Sequence, residues 1–370
     1  MQTLRQRAVA RLSKMGLGSS ILALLFAALF TLAAVLLIGK DPLAVTPAIL
    51  EGAFGSKNGF AEVLVKTSPL LLAGLGTAFA FRCQMWNIGV EGQLLMGALA
   101  ASVVSLSMPN APGFFIVAIA LIASFLSGGF WAGIAGFLKA KIGASEIITT
   151  IMLNYVAIYL VNFLVRGPLK DESGYVPQSP PIPQQAWLLR ILPPSRLHVG
   201  IVIAVLAAIL VYYILWRTPF GFSVIAVGSN PRAARAGGIS VSRSMVMAMF
   251  ISGGLAGLAG AGEVMGLHHR MLDGISAGYG FSAIAVAILG GLHPAGIAIW
   301  SFLLAALRVG ADHMQRQLGV PAALVLLLEG SVILFLQGRK TLSRMWTSKR
   351  LAEAAWKRLK GEEKHVGNDT

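Results

Sequence analysis

Residues 113–137 read GFFIVAIALIASFLSGGFWAGIAGF and contain no Asp, Glu, Lys or Arg. A helix needs about 20 predominantly apolar residues to cross the hydrocarbon core of a bilayer, so we predict that this run spans a membrane. Gly129 and Gly133, four residues apart, predict a face for close helix packing. The whole chain agrees, because 56% of its 370 residues are hydrophobic and 12% are charged. A soluble domain of this length could not bury so much apolar side chain.

Nine further apolar segments flank this run. We therefore predict an all-α polytopic membrane protein with about ten transmembrane helices. Residues 280–291 are too few for a plain span, and the sequence leaves open whether they fully cross. The other segments are residues 19–39, 63–81, 90–108, 147–165, 199–216, 244–264, 295–311 and 320–337.

Lys and Arg are unevenly distributed between these segments. With the N-terminus inside and every segment crossing, twenty of them fall inside and ten outside. Cytoplasmic loops carry the excess of basic residues, so this orientation, with both termini cytoplasmic, is favoured. The predicted parts are a cytoplasmic N-terminus (1–18), a transmembrane domain (19–338) with an extracytoplasmic loop (166–198) and a cytoplasmic loop (217–243), and a basic cytoplasmic tail (339–370).

The net charge of +15 raises the question of a nucleic-acid partner. The basic residues gather between and after the apolar segments, which indicates membrane lipid as their partner and argues against nucleic acid. The only cysteine is Cys83, so the sequence excludes an intramolecular disulfide.

Signals for catalysis are poor. The sequence has no G-x-x-x-x-G-K-[ST] phosphate loop and no recognisable Ser, His and Asp set. His268 and His269 are adjacent, so on a helix they point apart. With Glu263 and Asp273 nearby a metal site is conceivable, but a polar turn explains the same residues. We expect no catalytic residue, no metal and no cofactor in this chain.

Acidic residues inside a membrane would indicate an ion-coupled transporter that works alone. Each candidate falls near the end of a predicted helix, which weakens that alternative without removing it. These candidates are Glu91, Glu146, Glu263 and Glu329.

The cytoplasmic loop contains TPFG at residues 218–221 and GSNPRAARAGGI at 228–239. Asn230 is suited to cap a helix, and Pro231 is suited to its first position. The alanines that follow favour helix, and Gly237 and Gly238 end it. A helix of about two turns is unstable alone in water. We expect it to dock on a partner protein, or on the chain's own cytoplasmic surface.

This loop resembles the coupling segment of permeases in ABC importers for branched-chain amino acids, ribose and nucleosides. Residues 81–93, FRCQMWNIGVEGQ, are similar to the "aFraGlWNIGaEGQ" segment of the nucleoside-type permeases, although Cys83 and Gln84 replace small residues there. Further similarity lies in EIITTIMLNY at 146–155 and GYGFSAIAVA at 278–287. The resemblance covers roughly residues 60–335.

The resemblance implies a type II ABC-importer permease in the bacterial inner membrane. It implies a second permease subunit, homologous or identical, ABC ATPase subunits that bind the ATP, and an extracytoplasmic substrate-binding protein. It implies nucleosides as the substrate, with a simple sugar such as ribose as the alternative. The coupling residues that it implies are Pro219, Gly221, Gly228, Asn230, Pro231, Arg232, Ala233, Ala234 and Gly238.

Polar and aromatic residues in the matching stretches are candidates for the substrate path. Residues 87–89 can break a helix and open backbone groups to a polar cavity. Each candidate also has a structural interpretation: an interface anchor for Trp86, mutual hydrogen bonding for the polar residues and packing for Phe281. The candidates are Trp86, Asn87, Glu91, Gln93, Asn154 and Phe281.

Overall fold

A computed structural model of the chain describes residues 41–172 and 176–321, together with 35–36, 39, 323–324, 327 and 330–331. The chain divides into two compact units, one of residues 48–313 and one of residues 1–47 with 314–370. The first unit holds all the candidate site residues. The predicted segments 19–39 and 320–337, together with Glu329 and the basic tail, lie largely or wholly outside the described residues.

The described residues form helices and no strand. Their bounds are α1 Pro42–Phe54, α2 Lys57–Arg82, α3 Val90–Ser107, α4 Gly113–Ile142, α5 Glu146–Arg166, α6 Gly200–Arg217, α7 Pro219–Ser229, α8 Pro231–Ala236, α9 Val241–Gly262, α10 Tyr279–Leu289 and α11 Pro294–Leu318. A 3₁₀ turn covers Gln184–Ala186, and a π-helical turn, Glu263–His268, continues α9.

Seven of the described helices are long and apolar enough to cross a membrane. They are α2 to α6, α9 with its π-helical turn, and α11, and each coincides with a predicted segment. The prediction of a polytopic helical membrane protein is confirmed. Helices α1 and α7 were not predicted as separate elements.

Helix α10 answers the question that the sequence left open. It has 11 residues, which corresponds to a length of about 16 Å, and the hydrocarbon core is about 30 Å thick. It starts after Gly278, at φ +73°, and ends in the turn 290–293. This helix alone therefore does not cross the membrane.

Helix α9 packs against α2, α3 and α4, and glycines bring these backbones together. A Cβ on Gly253 would lie 2.2 Å from the carbonyl oxygen of Gly128, and one on Gly257 would lie 2.1 Å from that of Ser124. The predicted packing face is correct at Gly129, where a Cβ would lie 2.8 Å from the Phe250 oxygen. It is wrong at Gly133, whose Cβ would meet nothing nearer than 3.9 Å, because α4 and α9 cross closer to Gly128.

Burial separates central from peripheral helices. The most apolar window of α2 is 89% buried within the chain, whereas those of α4, α5 and α6 are 22–28% buried. Large side chains such as Phe130, Tyr159 and Leu206 are exposed on these outer helices. A bilayer accommodates such surfaces, since lipid tails are as apolar as the side chains.

Candidate functional site

The connection between α2 and α3 lies inside the helix bundle. Asn87 is fully buried, and its Nδ2 donates to Ser252 Oγ at 2.8 Å, near the middle of α9. Gln84 takes a positive φ of 54° as the chain leaves α2. The prediction that residues 87–89 interrupt the helix is confirmed.

Asn87 and Gln93 hydrogen-bond each other. Asn87 Nδ2 donates to Gln93 Oε1 at 2.9 Å, and Gln93 Nε2 donates to Asn87 Oδ1 at 2.8 Å. The Gly89 amide also donates to Asn87 Oδ1. The interpretation in which these side chains satisfy one another is confirmed for this pair. Their role in a substrate path stays a prediction.

Asn154 joins α5 to the start of α3. Its Oδ1 accepts from the Gly92 amide, and its Nδ2 donates to the Ile88 carbonyl, both at 2.8 Å. Thr150, one turn earlier on α5, accepts from the Ile88 amide at 3.3 Å. Both amide atoms of Asn154 are therefore used in helix–helix hydrogen bonds, as the structural interpretation expected.

Glu91 joins α3 to the start of α10. Its carboxylate accepts from the Ser276 hydroxyl and, at 2.8 Å, from the Gly280 amide. The first amides of a helix have no partner within it, so Glu91 satisfies one of them from another helix. Glu91 also lines a cavity of about 250 Å³, together with Leu95, Ile158, Val161, Asp273, Gly274, Ser276, Ala277 and Gly278.

Two aromatic candidates remain accessible on the chain. Trp86 is 47% exposed and Phe281 is 53% exposed. The Trp86 ring also contacts Phe81, with ring centroids 4.8 Å apart. Both are thus available to a solute, to lipid or to another subunit, unlike the paired amides beside them.

Sequence reasoning missed the hydroxyl partners of this region, Ser252 and Ser276. A single serine in an apolar run carries no signal, because its role depends on what packs against it. Only the contact between distant segments identifies these residues.

The predicted coupling segment, residues 217–243, folds into the two helices α7 and α8, which meet at Asn230. Asn230 Oδ1 accepts from the amides of Arg232 and Ala233 at 3.0 and 3.1 Å. Pro231 is the first residue of α8, and Gly238 takes a φ of +82° after its end. The predicted cap, first position and end of this helix are confirmed. The sequence reasoning missed α7, which Thr218 caps by accepting from the Gly221 amide.

The coupling segment docks on the chain itself through small residues. Ala234 is 5% exposed, and a Cβ on Gly221 would lie 2.0 Å from the Ile214 oxygen. On the other side of α8, the residues Arg232, Ala233 and Arg235 are exposed. One face of this helix is therefore held by the chain, and a basic face is left open.

The long connection 166–198 is joined to the residues that follow α9. Ile182 and Leu188 donate their amides to the carbonyls of His269 and Met265, both at 2.9 Å. The His269 ring stacks on Trp187 at 3.8 Å. His198 is 3% exposed, and burial lowers its pKa to about 4.

The residues considered for a metal site are used separately. His268 Nε2 lies 3.5 Å from a Glu263 oxygen, whereas His269 faces Trp187 and Asp273 pairs with Arg166 at 3.3 Å. Among the residues that the structure describes, no three His, Cys, Asp or Glu side chains are grouped to hold a metal ion.

Comparison with known proteins identifies one family. The family described as "Branched-chain amino acid transport system / permease component" matches residues 59–336. The guanosine ABC transporter permease protein NupP of Bacillus subtilis is 38% identical over 292 residues, which cover 78% of this chain and 83% of the relative.

Two further relatives match at similar length. The glucose ABC transporter permease protein TsgB13 of Haloferax volcanii is 35% identical over 329 residues, 86% of each chain. The nucleoside ABC transporter permease protein NupB of Lactococcus lactis subsp. cremoris is 31% identical over 325 residues, 85% of this chain and 89% of the relative.

Proposed function

The chain belongs to this family of ABC transporter permeases, and we propose that it forms part of the translocation path of a nucleoside importer. The observation that carries this proposal is the similarity to the guanosine permease, which extends over most of both chains. The second nucleoside relative, of nearly the same length, supports the same substrate class.

The proposed path runs past the interrupted helix between α2 and α3. Trp86 and Phe281 supply accessible aromatic surfaces against which a nucleobase can stack. The cavity lined by Glu91 and Asp273 offers carboxylates, whose oxygens can each accept more than one hydrogen bond and so can receive sugar hydroxyls in addition to their partners Ser276, Gly280 and Arg166. Asn87, Gln93 and Asn154 then act by holding this region in shape, because their amides are engaged within the protein.

The energy is proposed to come from ATP that a separate ATPase subunit binds and hydrolyses. The open face of α8 is the proposed contact, since Arg232 and Arg235 are exposed beside the small Ala233. A second permease subunit would complete the path, and a substrate-binding protein would deliver the solute from outside. The proposed location is the bacterial plasma membrane, with both termini cytoplasmic.

A simple sugar is the alternative substrate. The glucose permease relative is nearly as similar as the guanosine permease and covers more of the chain. A carboxylate-lined cavity would also accept the hydroxyls of a free sugar, so the two substrates differ mainly in their need for an aromatic surface.

Uptake of radiolabelled guanosine tests the proposal in cells that express the complete transporter with or without this chain. We expect uptake only with the chain, competition by excess adenosine, little competition by glucose or ribose, and loss of uptake when ATP is depleted at a constant ion gradient. Competition by glucose instead would transfer the substrate assignment to sugars. Uptake sustained by an ion gradient without ATP would contradict the ABC mechanism itself.

A further inference from the structure

Arg82, the last residue of α2, binds the turn between α10 and α11. Its Nε donates to the Leu292 carbonyl at 3.1 Å. Its Nη2 donates to the same carbonyl at 3.0 Å and to that of Gly291 at 3.4 Å. A planar guanidinium can hold two neighbouring acceptors in a fixed geometry, which a lysine ammonium cannot reproduce.

The turn that Arg82 binds has an unusual backbone. Gly291 and Leu292 have φ values of +65° and +56°. The left-handed region suits glycine but is unfavourable for leucine, which persists there only where surrounding contacts hold it. The Leu292 amide bonds the Ala287 carbonyl at 3.0 Å, and the Arg82 bonds restrain the carbonyl side. Arg82 is therefore one of the contacts that hold this end of α10.

The Trp216 ring of α6 contacts the guanidinium from another side. The Arg82 Cζ lies 5.1 Å from the centroid of the Trp216 ring, within cation–π distance. The Trp216 ring in turn contacts His293, in the same turn, with centroids 5.1 Å apart. Arg82 at the end of α2 and Trp216 at the end of α6 thus both contact the α10–α11 turn.

The coupling segment touches Arg82 directly through its backbone. A Cβ on Gly228, in the last turn of α7, would lie 2.0 Å from the Arg82 carbonyl oxygen and 3.1 Å from the Cys83 Cα. No side chain separates the two backbones here. A displacement of the C-terminal end of α7 toward the bundle would therefore press directly on the backbone at Arg82.

The other end of α10 is attached to the proposed path. The Gly280 amide donates to Glu91, and Phe281 follows with its ring half exposed. Since α10 is only 11 residues long, a shift of its Arg82-bound end would be expected to move the helix as one rigid unit. It would change the position of Phe281 relative to Trp86.

We infer that Arg82 is a positioning residue through which the coupling segment moves α10 during transport. This inference rests on the proposed function, since it takes the coupling segment to be driven by an ATPase. Arg82 does not need to touch the solute. It transmits displacement from α7, through the carbonyls of Gly291 and Leu292, to the short helix that carries Phe281.

Hydrogen–deuterium exchange on the assembled transporter tests the link without knowledge of the solute. Exchange at residues 286–293 and 219–229 is compared with and without ATP and vanadate in wild type, Arg82→Gln and Arg82→Lys. The matched control is Lys141→Gln, which removes an exposed positive charge at the end of α4. We expect both segments to respond in wild type and in the control. In both Arg82 variants we expect residues 219–229 to respond while the response at 286–293 is lost or reduced.

Reconstituted vesicles then give the functional consequence as guanosine taken up per ATP hydrolysed. A purely structural role would reduce the amount of active transporter and lower both rates equally. We expect hydrolysis to persist in Arg82→Gln while uptake per ATP falls about tenfold, the size of a modest coupling energy. The lysine variant should fall between Arg82→Gln and wild type, because it keeps the charge without the guanidinium fork.

An unchanged ATP response of residues 286–293 in an Arg82 variant would overturn the inference, as would an unchanged ratio of uptake to hydrolysis. If Arg82→Gln does not assemble, the lysine variant decides by the same criteria. Failure of wild type to take up guanosine would count against the proposed substrate alone, since the exchange experiment uses no solute. If ATP changed the exchange of neither segment in wild type, the result would contradict both the proposed ATPase coupling and this inference.

Discussion

The side-chain amide of Asn87 lies 2.8 Å from the hydroxyl of Ser252, a residue near the middle of α9. The chain between α2 and α3 is thus tied to the interior of the bundle. A helix break at this depth exposes backbone groups that lipid could not satisfy, so it requires polar partners within the protein. Asn87, Thr150 and Asn154 provide these partners. Gln93 and Ser252 in turn hydrogen-bond the side chain of Asn87.

Replacement of Asn87 by Leu should destabilise the protein. The change leaves the Gln93 amide and the Ser252 hydroxyl without this partner, at about 1–3 kcal/mol for an unsatisfied buried group. Thermal unfolding of the purified protein in detergent measures the effect. Ser107→Ala, which removes an exposed hydroxyl bonded only within its own helix, is the control and should change little. Equal melting temperatures for Asn87→Leu and wild type would contradict the role given to this network.

Gly228→Ala should disrupt the packing of α7 against the end of α2. The added methyl would lie 2.0 Å from the Arg82 oxygen, and forced overpacking costs about 1–3 kcal/mol. Gly262→Ala is the matched control, because a Cβ there meets nothing within 4 Å. We expect normal membrane insertion for both variants and loss of guanosine uptake for Gly228→Ala alone. Normal uptake by the Gly228 variant would show that this close approach is not required.

Ala233→Trp should leave the coupling segment folded and disrupt its proposed contact with the ATPase. Ala233 is exposed and Ala234 is buried, so a tryptophan at 233 leaves the chain's own packing intact while enlarging the open face. We expect an unchanged melting temperature and loss of co-purifying ATPase subunit. Ala234→Trp serves as the comparison, since it should lower the melting temperature as well. Full ATPase binding by Ala233→Trp would place the contact elsewhere.

Acidic pH should lower the stability of the folded protein, because His198, at the end of the connection 166–198, becomes protonated. Burial lowers the pKa of this imidazole from 6.5 to about 4 in the folded protein. The unfolded chain then binds a proton that the folded chain does not, so stability is present above pH 6.5 and is lost as the pH falls toward 4. The pKa of His269 is lowered by burial too, which gives the same sign.

Melting temperatures between pH 7 and pH 4 measure this dependence. His198→Asn provides an acceptor for the Gly200 amide, which now donates to His198 Nδ1 at 3.1 Å, and it does not titrate in this range. We expect a flatter pH profile for this variant. An identical slope in both proteins would assign the acid sensitivity to other groups.

Local sequence rules predicted much of the fold because their physics acts over a few residues. Seven of the apolar runs form helices long and apolar enough to span a membrane, and Asn230, Pro231 and Gly238 begin and end α8 as expected. Helix α7 was not predicted, because its 11 residues follow directly after a long apolar segment and look like part of a connecting loop. Trp86 and Phe281 were named from resemblance, and their exposure came only from the packing of other helices.

The sequence by itself determined the class of the protein, the positions of the seven described apolar helices and the capped helix in the loop 217–243, since hydropathy and capping depend on neighbouring residues. Only the tertiary structure decided which polar groups meet. Arg82 counted in the sequence as one basic residue near a membrane boundary, and in the fold it binds a turn more than 200 residues away. Contacts of that separation arise from helix packing, which no local pattern encodes.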